Sequence, residues 1–248
     1  MEDQLIQACK KLHFGSGLVT KAKKIKAKTH LDFLLELFVA EFEERERKRH
    51  NAYQKAAKFD IIKTFEKYTF EDIKFPATLS ADDILNTTFV PRRENLILYG
   101  NVGAGKTHLA IATGIAACDA GYKTRFYRTA TLVNALTEAK REGCLSQFMK
   151  QFDKLDLLIC DEWGYVPIDS DGAKLLFQVV SECYERKSLI ITTNSEFSHW
   201  NDIFADTKIT AALLDRIIHH SHLLDFTNRE SRRLLDALMN QDAESGVA

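Results

Sequence analysis

The chain has 248 residues, of which 45% are hydrophobic and 28% charged, and its formal net charge is −1. This composition is ordinary for a globular protein with a full core, and the near-neutral balance gives no sign of a chain that binds polyanions through its overall charge. The sequence contains no run of about 18 apolar residues, which excludes a membrane-spanning helix.

The N-terminus and the cysteines indicate where the protein acts. The chain begins with the acidic stretch Met1-Glu2-Asp3-Gln4 and lacks the apolar core of a signal peptide, so we expect a cytoplasmic protein. The five cysteines are widely spaced and form no C-x-x-C pair. This pattern favours reduced thiols and argues against a zinc site.

Residues 1–67 form the first predicted domain, which is small and helical. Residues 1–60 carry 13 Lys/Arg against 9 Asp/Glu, whereas the remainder of the chain carries 21 against 26. Five lysines lie within Lys21–Lys28. This uneven distribution indicates an appendage that contacts a polyanion.

A long helix is predicted to follow this lysine-rich segment. Thr29 and Asp32 resemble a helix-capping box. One apolar helical face follows, formed by Leu31, Leu34, Leu35, Phe38 and Phe42. Acids and bases alternate in Glu43–Arg49, which favours ion pairs along an exposed helix for these residues.

The second predicted domain, residues 68–248, alternates strands with helices. The predicted strands are Leu96–Tyr99, Thr124–Tyr127, Leu155–Cys160, Ser188–Thr193 and Leu223–Phe226. The predicted helices are Lys106–Ala120, Ala130–Glu142, Ser170–Glu185, Thr210–Ile218 and Arg229–Met239. Nearly continuous apolar strands separated by helices predict an α/β fold with a parallel sheet covered on both faces. We expect the turn-like stretch around Pro76 to join the two domains.

A phosphate-binding motif follows the first of these strands. Gly100–Thr107 matches G-x-x-x-x-G-K-[ST] between a strand and a helix, which disfavours a glycine-rich turn that matches by chance. Lys106 is placed to reach the β- and γ-phosphates of a nucleoside triphosphate, and Thr107 to hold Mg²⁺. The predicted phosphate-cradling residues are Gly100, Asn101, Val102, Gly103, Ala104, Gly105, Lys106 and Thr107.

Two carboxylates end the apolar run Leu157–Cys160. Asp161 is placed to hold Mg²⁺ through its water shell, and Glu162 to polarise a water for attack on the γ-phosphate. The alternative is a buried strand that simply ends in solvated acids, which the upstream motif disfavours. A water-activating acid favours a hydrolase over a kinase or a binding switch.

Asn194 and Arg216 are further candidates. Asn194 ends a third apolar strand, where its amide could orient the attacking water or touch the γ-phosphate; alternatively, Asn194 or Ser195 caps the following helix. Arg216 could reach the γ-phosphate of a neighbouring subunit, which would make hydrolysis depend on assembly. The alternative for Arg216 is a surface salt bridge.

These motifs together resemble a known family. Residues 101–110, 156–165, 192–194 and 214–220 are similar to the IstB-like transposition helper ATPases, which are AAA+ relatives of the DnaC helicase loaders. The resemblance covers most of the chain and implies an AAA+ P-loop three-layer sandwich preceded by a small helical domain. The implied roles are Walker A for Lys106 and Thr107, Walker B for Asp161 and Glu162, sensor 1 for Asn194, and arginine finger for Arg216.

The assignment of the sensor 2 arginine rests on a motif that this chain has partly lost. The family's Gly-x-Ser-Tyr-Arg ending reads Arg229-Glu230-Ser231-Arg232-Arg233 here. Arg233 matches the sensor 2 arginine, although the glycine and the tyrosine are replaced. Arg229 and Arg232 remain alternatives.

The resemblance also implies a function. It implies an ATPase that uses ATP and Mg²⁺, forms an oligomer with ATP sites between subunits, and assembles on duplex DNA with little sequence preference. The assembly recruits or activates a cognate transposase, and hydrolysis resets it. The candidate DNA contacts are Lys21, Lys23, Lys24, Lys26 and Lys28, for which a solvated helix face is the alternative.

Three other functions fit the core less well. A DnaC-like helicase loader would use the same core with a different partner. Glu162 argues against an ATP-switched scaffold with incidental hydrolysis. A small-molecule kinase would need a separate acceptor pocket, which the sequence does not indicate.

A histidine group near the end of the core resembles a metal site. His219, His220 and His222 lie close in sequence, and Asp215 precedes them by about one helical turn. No cysteine is near and no proposed reaction requires zinc, so we expect helix-end histidines near a subunit contact.

Overall fold

The computed structural model describes residues 2–15, 17–66, 68–204 and 206–231. By its contacts the chain divides into two units between Ala52 and Tyr53. The domain boundary that the sequence places at residues 67/68 stays a prediction. Pro76 lies within the second unit rather than between the two units.

The first unit is helical. It contains α1 (Glu2–Lys11), α2 (Leu18–Ala22) and most of α3 (His30–Ala57). A small core holds Cys9, Leu18, Val19 and Leu37. The Oγ1 of Thr29 accepts the N–H of Asp32 at 3.1 Å, which confirms the predicted cap of α3. The apolar face of α3 is exposed, with Leu31 at 79% and Phe42 at 64%.

The second unit is built on a five-stranded sheet in the order β2-β3-β4-β1-β5. The strands are β1 (Asn95–Tyr99), β2 (Thr124–Arg128), β3 (Leu157–Trp163), β4 (Ser188–Thr193) and β5 (Ser221–Asp225). All neighbouring strands pair in parallel. The α/β fold that the sequence predicts is therefore confirmed.

Helices cover both faces of this sheet. They are α4 (Ala81–Leu85), α5 (Lys106–Asp119), α6 (Thr129–Arg141), α7 (Leu145–Asp153), α8 (Ser170–Cys183), α9 (Trp200–Phe204) and α10 (Thr207–Ile218), with a 3₁₀ turn at Phe197–His199. Because side chains alternate along a strand, Leu96 and Leu98 pack on the α5 side and Ile97 packs on the α6–α8 side. The result is a three-layer sandwich with a separate apolar core on each face of the sheet.

The segment after β5 differs from its prediction. A helix is predicted over Arg229–Met239, but Arg229–Ser231 are not helical and the rest of that helix lies outside the described residues. Asn101 Nδ2 donates to Thr227 O at 2.9 Å, so residues after β5 lie against the glycine-rich loop. Tertiary contacts with that loop therefore determine the conformation of this segment.

Two expectations from composition can be compared with the fold. Among the described helices, none is both long and apolar enough to cross a lipid bilayer. The five cysteines are all free, as predicted, and four of them are buried. Burial raises the pKa of the Cys118 thiol to about 11, so this thiol stays protonated at neutral pH.

Candidate functional site

The glycine-rich loop connects β1 to α5 at the carboxyl edge of the sheet. Gly100 and Gly105 have φ values of 143° and 93°, a region that L side chains rarely adopt. A Cβ on Gly100 would lie 2.6 Å from the backbone carbon of Phe226, so the approach of that segment also requires glycine. Gly105 is the N-cap of α5 and supplies no side-chain cap, which leaves the first amides of the helix available for an anion.

Lys106 lies at the centre of this loop and is 9% exposed. Its Nζ donates to Gly100 O and to Asn101 O, each at 2.7 Å. The ammonium is therefore held over the loop by the loop's own carbonyls. This arrangement places its charge where the sequence predicts phosphates to bind.

Asp161 and Thr107 come together at the end of β3. Thr107 Oγ1 donates to Asp161 Oδ1 at 2.9 Å, and Thr192 Oγ1 donates to the same oxygen at 2.5 Å. Asp161 is 2% exposed. Hydroxyl and carboxylate oxygens are the ligands that Mg²⁺ prefers, so the pair that the sequence predicts for the metal fits that ion.

A β-bulge gives the adjacent acids Asp161 and Glu162 different orientations. The register between β3 and β4 shifts between Cys160 and Trp163, and Glu162 has a φ of 58°. The Glu162 N–H donates to Thr192 Oγ1 at 2.9 Å, which holds this unusual conformation in place. The Glu162 side chain is exposed while its neighbours Asp161 and Trp163 are buried. The bulge thus turns one acid toward solvent beside a buried one.

Asn194 lies directly after β4, the strand between β1 and β3. Its side chain is exposed at the edge of the sheet where the glycine-rich loop and Glu162 also lie. The following 3₁₀ turn has Glu196 at its N-cap, so the capping alternative for Asn194 or Ser195 is wrong. Tyr99 at the end of β1 lies near this point, and burial together with the charge of Glu196 raises the pKa of its hydroxyl.

Arg216 lies on α10 and is partly exposed. Its guanidinium is 4.6 Å from the ring centre of Phe177, and its Nη1 donates to Ala212 O at 3.1 Å. Within the described residues Arg216 makes no ion pair, which does not support the salt-bridge alternative. The aromatic contact instead holds the side chain against Phe177 of α8.

Arg229 makes contacts with the glycine-rich loop that its position in the sequence did not indicate. It is 4% exposed, and its guanidinium donates to Thr69 O at 2.7 Å, to the Tyr68 hydroxyl at 2.9 Å and to Ala104 O at 3.4 Å. Arg229 therefore ties the segment after β5 to the glycine-rich loop. Arg233, which matches the sensor 2 arginine, and the alternative Arg232 lie outside the described residues.

We expect Arg229→Ala to weaken both the fold and nucleotide binding. The change removes the guanidinium that donates to the buried Ala104 O, at a cost of about 1–3 kcal/mol, and frees the loop that holds Ala104. Thermal unfolding and a titration with ATP measure the two effects. Arg229→Lys keeps the charge but loses the forked geometry, so it should recover only part of either effect. Unchanged stability and affinity in Arg229→Ala would contradict this role.

The histidines do not form one group. His222 is buried in β5, with Nε2 at 3.1 Å from Glu94 and Nδ1 at 3.0 Å from Thr78. His219 and His220 are exposed at the end of α10, where their ring nitrogens and a Glu185 oxygen lie within 4.8 Å of one another. The expectation of helix-end histidines therefore fits His219 and His220 but is wrong for His222, which lies in β5.

The lysines of the lysine-rich segment lie in two kinds of environment, paired with acids or exposed. Lys21 lies 3.6 Å from Glu41, and Lys23 pairs with Glu2 at 2.7 Å. Lys24, Lys26 and Lys28 are exposed and make no ion pair within the part of the chain that the structure describes. The bases that follow in α3 pair with glutamates at i,i+3 or i,i+4, as predicted: Arg45, Arg47, Lys48 and Arg49.

Comparison with known sequences identifies relatives along almost the whole chain. The model of the family described as "IstB-like ATP binding protein" matches residues 4–239. The putative ATP-binding protein of insertion sequence IS5376 from Geobacillus stearothermophilus is 33% identical over 98% of this chain and 99% of its own length. The corresponding IS21 protein of Pseudomonas aeruginosa is 35% identical over 90% of this chain and 83% of its own length.

Solved structures share the fold at lower identity. The DnaC helicase loader superposes with a TM-score of 0.51 and 21% identity, covering 70% of this chain and 98% of that one. DnaI superposes with a TM-score of 0.54 and 15% identity, covering 68% and 90%. These likenesses confirm the three-layer α/β sandwich that the sequence predicts.

Proposed function

The chain belongs to the IstB-like ATP binding protein family, and on this premise we propose that it is an ATP-hydrolysing helper of transposition. In this proposal subunits assemble on duplex DNA with ATP bound between them. The assembly recruits or activates the transposase of its insertion sequence. Hydrolysis of ATP to ADP and phosphate then ends that state.

The observation that carries the proposal is the pair of acids at the end of β3. Asp161 is 2% exposed and bonded to Thr107, whereas the bulge directs Glu162 outward from the same strand. A protein that only bound ATP would need the first acid and not the second. This arrangement supports hydrolysis as part of the function.

ATP binding is assigned to the loop and to the start of α5. The amides of Gly103–Lys106 and the Lys106 ammonium would contact the phosphates. Thr107 and Asp161 would hold Mg²⁺, which when bound neutralises phosphate charge. Arg229 keeps the loop in shape through Ala104 O.

Hydrolysis is assigned to residues from β3 and the end of β4 and to a neighbouring subunit. Glu162 accepts a proton from water as the water oxygen bonds to the γ-phosphorus, and the bond from that phosphorus to the bridging oxygen of ADP breaks. Asn194 orients the water by its amide. Arg216 of one subunit stabilises the charge at the site of the next, so turnover requires assembly.

DNA binding is assigned first to the lysine-rich segment. Lys24, Lys26 and Lys28 are the members of this segment that make no ion pair among the described residues. Lysines that contact phosphates release counterions, so such binding weakens steeply as salt rises. Because no base edge is read, we expect little sequence preference.

The ATPase rate tests this function. We expect the rate per subunit to rise with protein concentration and on addition of plain duplex DNA, and to fall as salt rises. The rate depends on protein concentration because Arg216 completes the site of a neighbouring subunit. It depends on salt because the DNA contacts are made to phosphates. A catalytically inactive Lys106→Ala variant controls for contaminating ATPases.

A rate that is indifferent to concentration and to DNA would contradict the proposal. A rate that responds to a replicative helicase instead of DNA would identify a helicase loader. Stable DNA-bound assemblies without measurable turnover would identify an ATP-switched scaffold.

A further inference from the structure

A small pocket lies at the start of β2, where the end of α3 meets the end of α7. It has a volume of about 260 Å³ and is lined by Tyr53, Arg125, Gln151, Lys123 and Lys154, among others. All of these residues belong to the second unit. None of them belongs to the nucleotide site described above.

Two buried donors in this pocket have no acceptor. Arg125 Nε and Gln151 Nε2 are both inaccessible to solvent and make no hydrogen bond to any residue that the structure describes. The Tyr127 hydroxyl donates to Gln151 Oε1 at 3.0 Å, which fixes the amide with its Nε2 available for an acceptor. Buried donors are almost always paired in folded proteins, so Arg125 and Gln151 are polar residues whose hydrogen bonding is incomplete at this pocket.

The charge around the pocket is positive. Lys123 and Lys154 are exposed, and within the described residues neither they nor Arg125 form an ion pair. The nearby Asp156 carboxylate already accepts the Lys123 N–H at 2.8 Å. Three cations therefore surround a space of about 260 Å³, and a ligand with anionic oxygens would pair with them.

Arg125 is held in a fixed orientation at this point. Its guanidinium lies 5.1 Å from the ring centre of Tyr127, and its Nη1 donates to Ala56 O at 2.7 Å. Both contacts come from the protein itself, so little side-chain entropy remains to be lost on binding. The tyrosine ring is covered by the guanidinium, which favours phosphate contact over base stacking on that ring.

A second groove, which shares Arg125 with this pocket, lies along the edge of the sheet. β2 is an edge strand, paired with β3 alone in the described sheet. The groove beside it has a volume of about 650 Å³ and is lined by Lys58, Asp60, Arg125 and Arg128, among others. Five strand residues span about 16 Å, which is the axial length of about five successive phosphates on one DNA strand. The shape therefore suits a linear polyanion better than a single small anion.

We propose that the β2 edge binds the phosphodiester backbone of a nucleic-acid strand, with one phosphate in the pocket formed by Lys123, Arg125, Gln151 and Lys154. This inference rests on the proposed function and adds to it a DNA contact on the ATPase unit. The contact is independent of sequence, since it involves phosphates and no base edges. Because β2 leads directly into α6, this contact also links α6 to the bound DNA.

The test compares salt-dependent DNA binding of charge-neutralised variants. In Lys123→Gln/Lys154→Gln both side chains are exposed, so we expect normal folding and basal ATPase activity. We expect about tenfold weaker binding of a fluorescent duplex or single strand at low salt, and a salt slope lower by about 2. Arg125→Lys, which keeps the charge but loses the fork, should weaken binding less than the double variant.

A matched control makes the same change in charge elsewhere on the unit. Lys140 and Lys174 both pair with Asp171 on the exposed surface, and Lys140→Gln/Lys174→Gln should leave the affinity and the slope unchanged. An effect confined to one form of DNA identifies that form as the ligand and supports the inference. If the wild-type protein binds DNA and the pocket variants bind it with an unchanged slope, this inference is wrong while the proposed function stands. If the wild-type protein binds no DNA, both are wrong.

Discussion

The Glu162→Gln variant is expected to bind ATP as tightly as the wild-type protein and to hydrolyse it at least about 100-fold more slowly. Glutamine has nearly the same size and shape as glutamate but does not accept a proton from water at neutral pH. The backbone N–H of residue 162 still donates to Thr192 Oγ1, so the bulge is retained. Single-turnover hydrolysis and a separate ATP titration distinguish loss of chemistry from loss of binding.

The control for this change is Glu196→Gln. Glu196 is also an exposed acid at this edge of the sheet, 3.4 Å from the Tyr99 hydroxyl, and we assign it no part in hydrolysis. We expect its rate to match that of the wild-type protein. DNA-bound assemblies of Glu162→Gln should persist in ATP, since the step that ends them is blocked. Wild-type turnover in Glu162→Gln would show that the base is another residue.

The Arg216→Ala variant is expected to lose about 10³-fold in turnover without a change in ATP affinity. A guanidinium supplied by the neighbouring subunit acts on charge that develops during the reaction, so its removal affects the chemical step. Arg186→Ala is the matched control, because Arg186 is an exposed arginine paired with Glu182 at the end of α8.

Mixing two inactive variants tests whether Arg216 acts between subunits. In a mixed assembly, an interface with Glu162 from the Arg216→Ala subunit and Arg216 from the Glu162→Gln subunit is complete. We therefore expect activity to reappear on mixing. Arg216→Met, which keeps contact with Phe177, should remain inactive and fold normally. Activity in Arg216→Met, or no recovery on mixing, would point to a packing role within one subunit.

Local motifs made the centre of the site predictable from sequence. Lys106, Thr107 and Asp161 belong to patterns in which residue spacing and the flanking strand determine position, and the structure brings Thr107 and Asp161 within 2.9 Å. The fold class was predictable for the same reason, because apolar strands alternated regularly with amphipathic helices. Strand boundaries differed by a few residues, most clearly at β3.

The features that the sequence did not reveal depend on pairing across the sheet or on distant contacts. The bulge at Glu162 arises from the register between β3 and β4, which no local pattern encodes. Arg229 reaches Tyr68, a residue 161 positions earlier in the chain, so its burial could not be read from its neighbours. The pocket beside Arg125 likewise joins side chains from a helix end, a strand and a second helix.

The position of β5 affects how the protein matures during synthesis. β5 pairs with β1, and the residues just after it contact the glycine-rich loop through Phe226 and Thr227. A nascent chain that has emerged only through α10 already contains both Walker motifs but lacks the strand that supports the loop. Since domains generally fold as units on the ribosome, ATP binding is expected to begin only after β5 has emerged. An incomplete chain that cannot bind ATP would therefore not enter the proposed assembly.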